Sequence, residues 1–222
     1  EESLKLISLM KEQGITDIIA TPHFYPQEDN IESFIDKTES AFKELKAKLN
    51  DSSVNIFLGA EMLYFKGIGN SPSLKHLCLN SSNYLLLELY EGTINDSLFE
   101  DISSMIQNLG ITPIIAHIER YYKFKNFRKL LKFVTENNIP TQVNASAFFT
   151  PYYKHIIKKL FKANLVSFIA TDTHSYNLRP PMLDKAYEYI KEHFGEDTKN
   201  RLIDNSVKLY KEITLKSDVI DA

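Results

Sequence analysis

The chain has 222 residues, 43% apolar and 25% charged, a balance that excludes wholesale disorder and suits one barrel or doubly wound domain rather than two α/β domains. Lys and Arg total 26 against 29 Asp and Glu, so the formal net charge of −3 offers nothing to a nucleic acid or an anionic membrane, and any anion binding must be local. The single cysteine, Cys78, excludes an intrachain disulfide and a cysteine-built zinc cluster, and points to a reducing cytoplasm.

No apolar run reaches the ~20 residues of a membrane span and no signal-peptide pattern opens the chain, so neither membrane insertion nor export is expected. Leu4, Ile7 and Met10 stand at helical spacing and Gly14 follows as a left-handed stop, which predicts an opening helix. Thr16 to Ala20 is a short β-branched and apolar run, read as a buried strand with Thr21-Pro22-His23 at its C-terminal tip. Residues 31–49 form a helix with Phe34, Phe42, Leu45 and Leu49 as its apolar stripe, and 54–60 a strand ending at Glu61. The next strand, 84–87, ends at Glu88. Ser97 with Glu100 reads as the capping box of a helix that stops at Gly110. A strand over 111–116 ends at His117, a helix covers 126–137, and a strand over 141–143 ends near Asn144. A helix after Pro151 leads to the strand 165–170, whose tip is Thr171-Asp172-Thr173-His174, and helices over 182–193 and 197–212 close the chain.

Three of these strands are nearly the same text: Gly-Ile-Thr-Asp-Ile-Ile-Ala before Thr21, Gly-Ile-Thr-Pro-Ile-Ile-Ala before His117, and Leu-Val-Ser-Phe-Ile-Ala before Thr171. Continuous apolar strands alternating with helices predict a parallel sheet covered on its outside. Five of the six strand tips carry His, Asp or Glu, which favours a closed, distorted (β/α) barrel with its site on the C-terminal rim over an open sheet with one switch point. The whole of 1–222 reads as a single domain.

His23, Glu61, Glu88, His117, Asp172 and His174 each follow a hydrophobic strand, so a parallel barrel turns them toward one mouth. Any one of them alone is an ordinary hydrogen-bonded turn residue, but together they form a set of imidazole and carboxylate donors suited to zinc, manganese or iron. A cation relieves the repulsion among such carboxylates. Six donors exceed the needs of one tetrahedral ion, so two or three divalent ions are expected. Arg120, three residues after His117, and Arg179, five after His174, offer planar forks to a phosphate or carboxylate. Phe24, Tyr25, Tyr121 and Tyr122 suggest an aromatic wall beside them, although core packing is the commoner use of such rings. His76, His155 and His193 read as ordinary surface or packing histidines. No glycine-rich phosphate loop is present, which argues against a nucleotide cofactor, and Cys78 reads as a buried thiol rather than a nucleophile.

The ordered set Ala20-Thr21-Pro22-His23, Gly59-Ala60-Glu61, Leu87-Glu88, Ala116-His117-Ile118-Glu119-Arg120-Tyr121, Val143-Asn144-Ala145 and Thr171-Asp172-Thr173-His174, followed by Arg179-Pro180-Pro181, resembles the polymerase-and-histidinol-phosphatase (PHP) superfamily. Within it the chain looks like the manganese-dependent protein tyrosine phosphatases of bacterial capsule and exopolysaccharide operons. The resemblance implies a distorted seven-stranded (β/α) PHP barrel related to the TIM barrel, with His23, Glu61, Glu88, His117, Asp172 and His174 as metal ligands and Arg120 and Arg179 on the phosphate. It further implies two or three divalent ions, manganese before iron or zinc, and a cytoplasmic phosphatase whose partner is the phosphotyrosine-bearing tail of a bacterial tyrosine autokinase. Two departures stand out. Ile118 occupies the place of the family's usual Pro between His and Glu, and the family's opening strand, ending in Asp-x-His-x-His, has no counterpart, so it is expected before residue 1. A small-molecule phosphomonoesterase such as a histidinol phosphatase, or a phosphotyrosine- or kinase-binding module without catalysis, are the alternatives.

Overall fold

The computed structural model describes residues 1–49 and 51–215. Helix α1 (Glu2–Glu12) buries Ile7 and Met10, and Gly14 follows it at a φ of 78°, a left-handed turn that glycine adopts without strain. The first strand comes in two pieces, β1 (Asp17–Ala20) and β2 (His23–Phe24), and the second likewise, β3 (Asn55–Leu58) and β4 (Glu61–Leu63). Backbone bonds bridge the breaks: Gly59 N–H donates to Ala20 and Glu61 N–H to Pro22, so each pair is one kinked strand. Gly59 sits where a Cβ would lie 3.0 Å from the Leu79 Cα, so the close backbone approach at the kink requires a residue with no side chain.

Helix α2 (Ile31–Lys48) is capped by Asn30, whose side chain accepts from Ser33 N–H. Only Phe34 of its predicted stripe is fully buried; Phe42, Leu45 and Leu49 pack on a small cluster of Ile7, Val54 and Ile56 under β1 and β3. Strand β5 (Tyr84–Glu88) precedes α3 (Asp96–Leu109), and here the expected capping box is corrected. The cap is Asn95, which accepts from Leu98 N–H, and Ser97 already lies inside the helix. Asn95 has the extended backbone of a cap, and its side-chain oxygen reaches the N–H three residues on, whereas Ser97 already has its place in the helix.

Strand β6 (Thr112–Ile115), helix α4 (Phe127–Glu136), strand β7 (Gln142–Asn144), helix α5 (Lys154–Lys162) and strand β8 (Phe168–Ala170) complete the alternation, and α6 (Leu183–Phe194) and α7 (Glu196–Thr214) pack against each other after it. All strand pairs are parallel and follow chain order: β1 with β3, β2 with β4, then β5 and β6. An Ile115–Thr141 bridge passes the ladder to β7, which pairs with β8. The alternating pattern read from the sequence is therefore present, among the described residues, as six strand positions, all parallel. Among the described residues β8 and β1 are not paired with each other, and an apolar cavity of about 480 Å³ opens between them, lined by Ile18, Ile19, Ile169 and Ala170 with Tyr210 and Ile213 of α7. The main core runs from Phe24 through Met62, Leu87, Ile115 and Val143 to Ile169, and Cys78 is buried within it as expected.

Candidate metal and phosphate site

Register decides which side chains meet. His23 is paired with Glu61, and Glu61 lies opposite Leu86, so Glu88, two residues further along β5, projects from the same face. His117 follows β6 at a φ of 29°, and Asp172 follows β8 at 46°, conformations that bulky or branched side chains seldom adopt and that concentrate at functional sites. These two turns swing the His117 ring and the Asp172 carboxylate inward over the strand ends.

The structure brings all eight residues singled out from the sequence into one chain of contacts. His117 Nε2 lies 2.9 Å from Glu61 and 3.4 Å from Glu88, and His23 Nδ1 lies 3.9 Å from a carboxylate oxygen of each. His23 Nε2 is 3.0 Å from His174 Nε2, and His174 Nδ1 is 3.1 Å from the Asp172 carbonyl and 3.4 Å from its carboxylate. Arg120 and Arg179 each donate at 2.5 Å to the same oxygen, Asp172 Oδ2. Glu61 and His23 lie within the short continuation strands past the kinks, so the sites expected at bare strand ends belong instead to β2 and β4.

The electrostatics of the cluster are uneven. Burial lowers the His117 pKa, but hydrogen bonds to Glu61 and Glu88 outweigh it and carry the imidazole up to about 9. Burial raises the Glu88 carboxyl, and the hydrogen bond and charge of His117, with His23 and Arg120, more than reverse this and hold it low. Glu119, 1% exposed, is pushed up to about 7 by burial, partly offset by the His117 charge. Without a cation the His117 ring is thus held toward its protonated form, with Nε2 facing the two glutamates and Nδ1 facing Tyr121 Oη, 3.1 Å away.

Two of the four rings proposed as an aromatic wall are corrected by the structure. Phe24 is 2% exposed and Tyr121 1%; both face the core because the strand period turns Phe24 away from His23 and the 3₁₀ turn after His117 rolls Tyr121 inward. Tyr25 does border the site, stacked on His23 with centroids 5.3 Å apart, and Tyr122 packs edge-on with Tyr152 and Tyr153.

The donor set fits a divalent cation on two counts. His23 Nδ1 is buried without a hydrogen-bond partner, and a ligand atom from each of His23, Glu61 and Glu88 lies within 4.8 Å of the others. A nitrogen between two carboxylates, left unsatisfied by protein, is a natural place for a borderline ion with N and O ligands. His117 Nε2 would become a further ligand atom on giving up its proton as a cation enters, since Nδ1 is engaged by Tyr121. Sequence reasoning missed Gln142, buried on β7 next to this cluster; its only signal is the polar, apolar, polar order Gln142-Val143-Asn144 in a strand whose neighbours are covered on both sides.

The family profile for capsular polysaccharide synthesis, CpsB/CapC, matches residues 1–211. Tyrosine-protein phosphatase CpsB of Streptococcus agalactiae serotype III is 32% identical over 226 residues, covering 95% of this chain and 90% of the relative. CpsB of Streptococcus pneumoniae is 30% identical over 94% of this chain and 90% of its own, and YwqE of Bacillus subtilis strain 168 is 25% identical over 96% and 85%. A chain from the crystal structures of YwqE from Bacillus subtilis and CpsB from Streptococcus pneumoniae, described as unique metal-dependent tyrosine phosphatases, superposes with a TM-score of 0.79 at 23% identity, over 96% of this chain and 86% of that one, and the two share their fold.

Proposed function

Since the chain belongs to the CpsB/CapC family of capsular polysaccharide synthesis, we propose that it is a metal-dependent phosphoric monoester hydrolase that removes phosphate from phosphotyrosine in proteins. We assign it the phosphotyrosine-bearing tail of a bacterial tyrosine autokinase as substrate and place the reaction in the cytoplasm. No helix among the described residues is long and apolar enough to cross a membrane.

The observation that carries this reading is the convergence of Arg120 and Arg179 on one carboxylate oxygen beside the His and Glu cluster. Two guanidinium forks directed at a single anionic oxygen form a cradle for a phosphoryl group. We assign His23, Glu61, Glu88, His117, Asp172 and His174 to two or three divalent ions, manganese first. Bound there, a divalent cation supplies Lewis-acid stabilisation of negative charge on the phosphoryl oxygens. The arginines take the remaining phosphoryl oxygens and hold them as charge develops. Tyr25, stacked on His23, borders the space where a substrate ring would lie. Tyr121, bonded to His117 Nδ1, would hold the ring so that Nε2 faces the ion together with Glu61 and Glu88.

The test is phosphate release from a phosphotyrosine peptide and from histidinol phosphate, before and after chelation and after reloading with manganese, iron or zinc. Turnover of the peptide should vanish on chelation, return best with manganese, and exceed that of histidinol phosphate. A reloaded protein that releases no phosphate from the peptide under any metal refutes the reading.

A further inference from the structure

Two amides on β7 tie the tips of β6 and β8 together. Gln142 and Asn144 are two residues apart and so share one face of the strand, and both are buried. His117 N–H donates to Gln142 Oε1 at 3.2 Å, Gln142 Nε2 donates to Asn144 Oδ1 at 2.7 Å, and Asn144 Nδ2 donates to Asp172 Oδ2 at 2.6 Å. Both ends fix the direction: a backbone N–H only donates, and a carboxylate oxygen held by two guanidinium groups only accepts. Turning either amide over would set acceptor against acceptor or donor against donor. Asn144 is further held by its own N–H, which donates to Glu119 Oε1 at 3.3 Å.

Asp172 Oδ2 therefore has three donors of two kinds. Arg120 and Arg179 are long side chains, 33% and 40% exposed, that reach the carboxylate from the rim; Asn144 is short, enclosed and 1% exposed. Asp172 Oδ1 faces His174, 3.4 Å from its Nδ1, and is the oxygen an ion held by these residues would use. When a phosphoryl group takes the arginines, Oδ2 of this side chain, which is 8% exposed, would be left without a donor if nothing else reached it. We propose that Asn144, oriented by Gln142, is a positioning residue that keeps Asp172 Oδ2 hydrogen-bonded while Arg120 and Arg179 transfer to the substrate phosphate. This rests on the phosphatase reading above. It places the effect of Asn144 on anion binding, because the donor matters at the moment the arginines leave, and little on the step that follows.

The experiment compares wild type with Asn144→Leu, which is close in volume and carries no donor. Phosphate affinity is measured on the manganese-loaded full-length protein by calorimetry with inorganic phosphate, alongside KM and kcat for an aryl phosphate and the far-UV spectrum. Losing a hydrogen bond to a charged group should weaken phosphate binding roughly ten-fold or more and raise KM in step, with kcat within about three-fold of wild type. A general packing defect would lower activity without this split. A folded N144L whose phosphate affinity equals that of wild type overturns the proposal, as does a fall in kcat at constant KM. If N144L does not fold, Gln142→Leu leaves Asn144 in place but frees its amide; weaker phosphate binding with kcat kept supports the role, and unchanged binding overturns it. A wild type that binds neither manganese nor phosphate overturns the functional reading itself, a result distinct from a competent wild type matched by its variant.

Discussion

Replacing Tyr121 by Phe removes one oxygen atom from the interior and little else, because the ring keeps its edge-on contact with His117 and its packing on Phe124. That oxygen accepts from Leu89 N–H at 3.0 Å and from His117 Nδ1 at 3.1 Å, at a residue 1% exposed. Burial keeps the phenol far above its ordinary pKa, so a neutral hydroxyl performs this task at every working pH. The Leu89 amide, left buried without an acceptor, costs about 1–3 kcal/mol, and the loss of the His117 contact adds to it. For a chain of this size each kcal/mol corresponds to about 2–4 °C, so the metal-free variant should melt roughly 4–10 °C below wild type. The same hydroxyl aims the ring whose Nε2 faces Glu61 and Glu88, and loss of such an outer contact typically weakens metal binding about ten-fold or more. Thermal unfolding of the metal-free protein and equilibrium titration with manganese measure the two effects separately. A variant that melts with wild type and binds manganese equally well would show that the hydroxyl carries neither bond, and the account of His117 would fall with it.

Arg120→Ala and Arg179→Ala should each lower kcat/KM for an aryl phosphate by about 10² or more with manganese content retained, since each fork serves the phosphoryl group rather than the ion; an unchanged rate constant reassigns that arginine to ion pairing with Asp172. The metal-free protein should lose stability as pH rises. Glu119 is raised from 4.5 to about 7 and His117 from 6.5 to about 9, so in both cases the folded state binds the proton more tightly. The Glu119 contribution fades between those first two values and the His117 contribution between the second two, and Glu119→Gln should remove only the lower part of the decline. Urea midpoints from pH 5 to pH 10 test this, and a midpoint that holds level or climbs across the range contradicts the assigned environments.

The repeated strand text and the residues following it were legible because a parallel sheet needs continuous apolar runs, and whatever polar residue ends such a run is forced to the same rim. His23, Glu61, Glu88, His117, Asp172 and His174 could be named that way. What the text concealed was curvature. The kinks at Thr21-Pro22 and Gly59-Ala60 carry His23 and Glu61 into a second stretch of strand, and no periodicity marks where a strand resumes after a break. The rotation at His117 that sends Tyr121 inward is set by a positive φ, which reads in sequence as an ordinary His followed by an ordinary turn. Gln142 left only a faint signal: two polar residues in a three-residue strand are too few to establish a period, so its burial shows only once β6 and β8 stand on either side. The misplaced cap of α3 came from taking a Ser and a Glu three apart at face value when Asn95 lay within reach.

Because the strands pair in chain order, the order in which the chain is made is also the order in which the site is built. His23, Glu61, Glu88 and His117 all precede β7 and β8 in the chain, so a chain made from its N-terminus supplies these four residues before those that carry Asn144 and Asp172. Within this half His117 lies against both glutamates and offsets part of their repulsion. Arg120 comes next and waits without its carboxylate until Asp172 and Arg179 arrive together on one loop. A growing chain therefore makes the His and Glu cluster and Arg120 first and the loop with Asp172 and Arg179 last, so the carboxylate arrives where a guanidinium is already available to meet it.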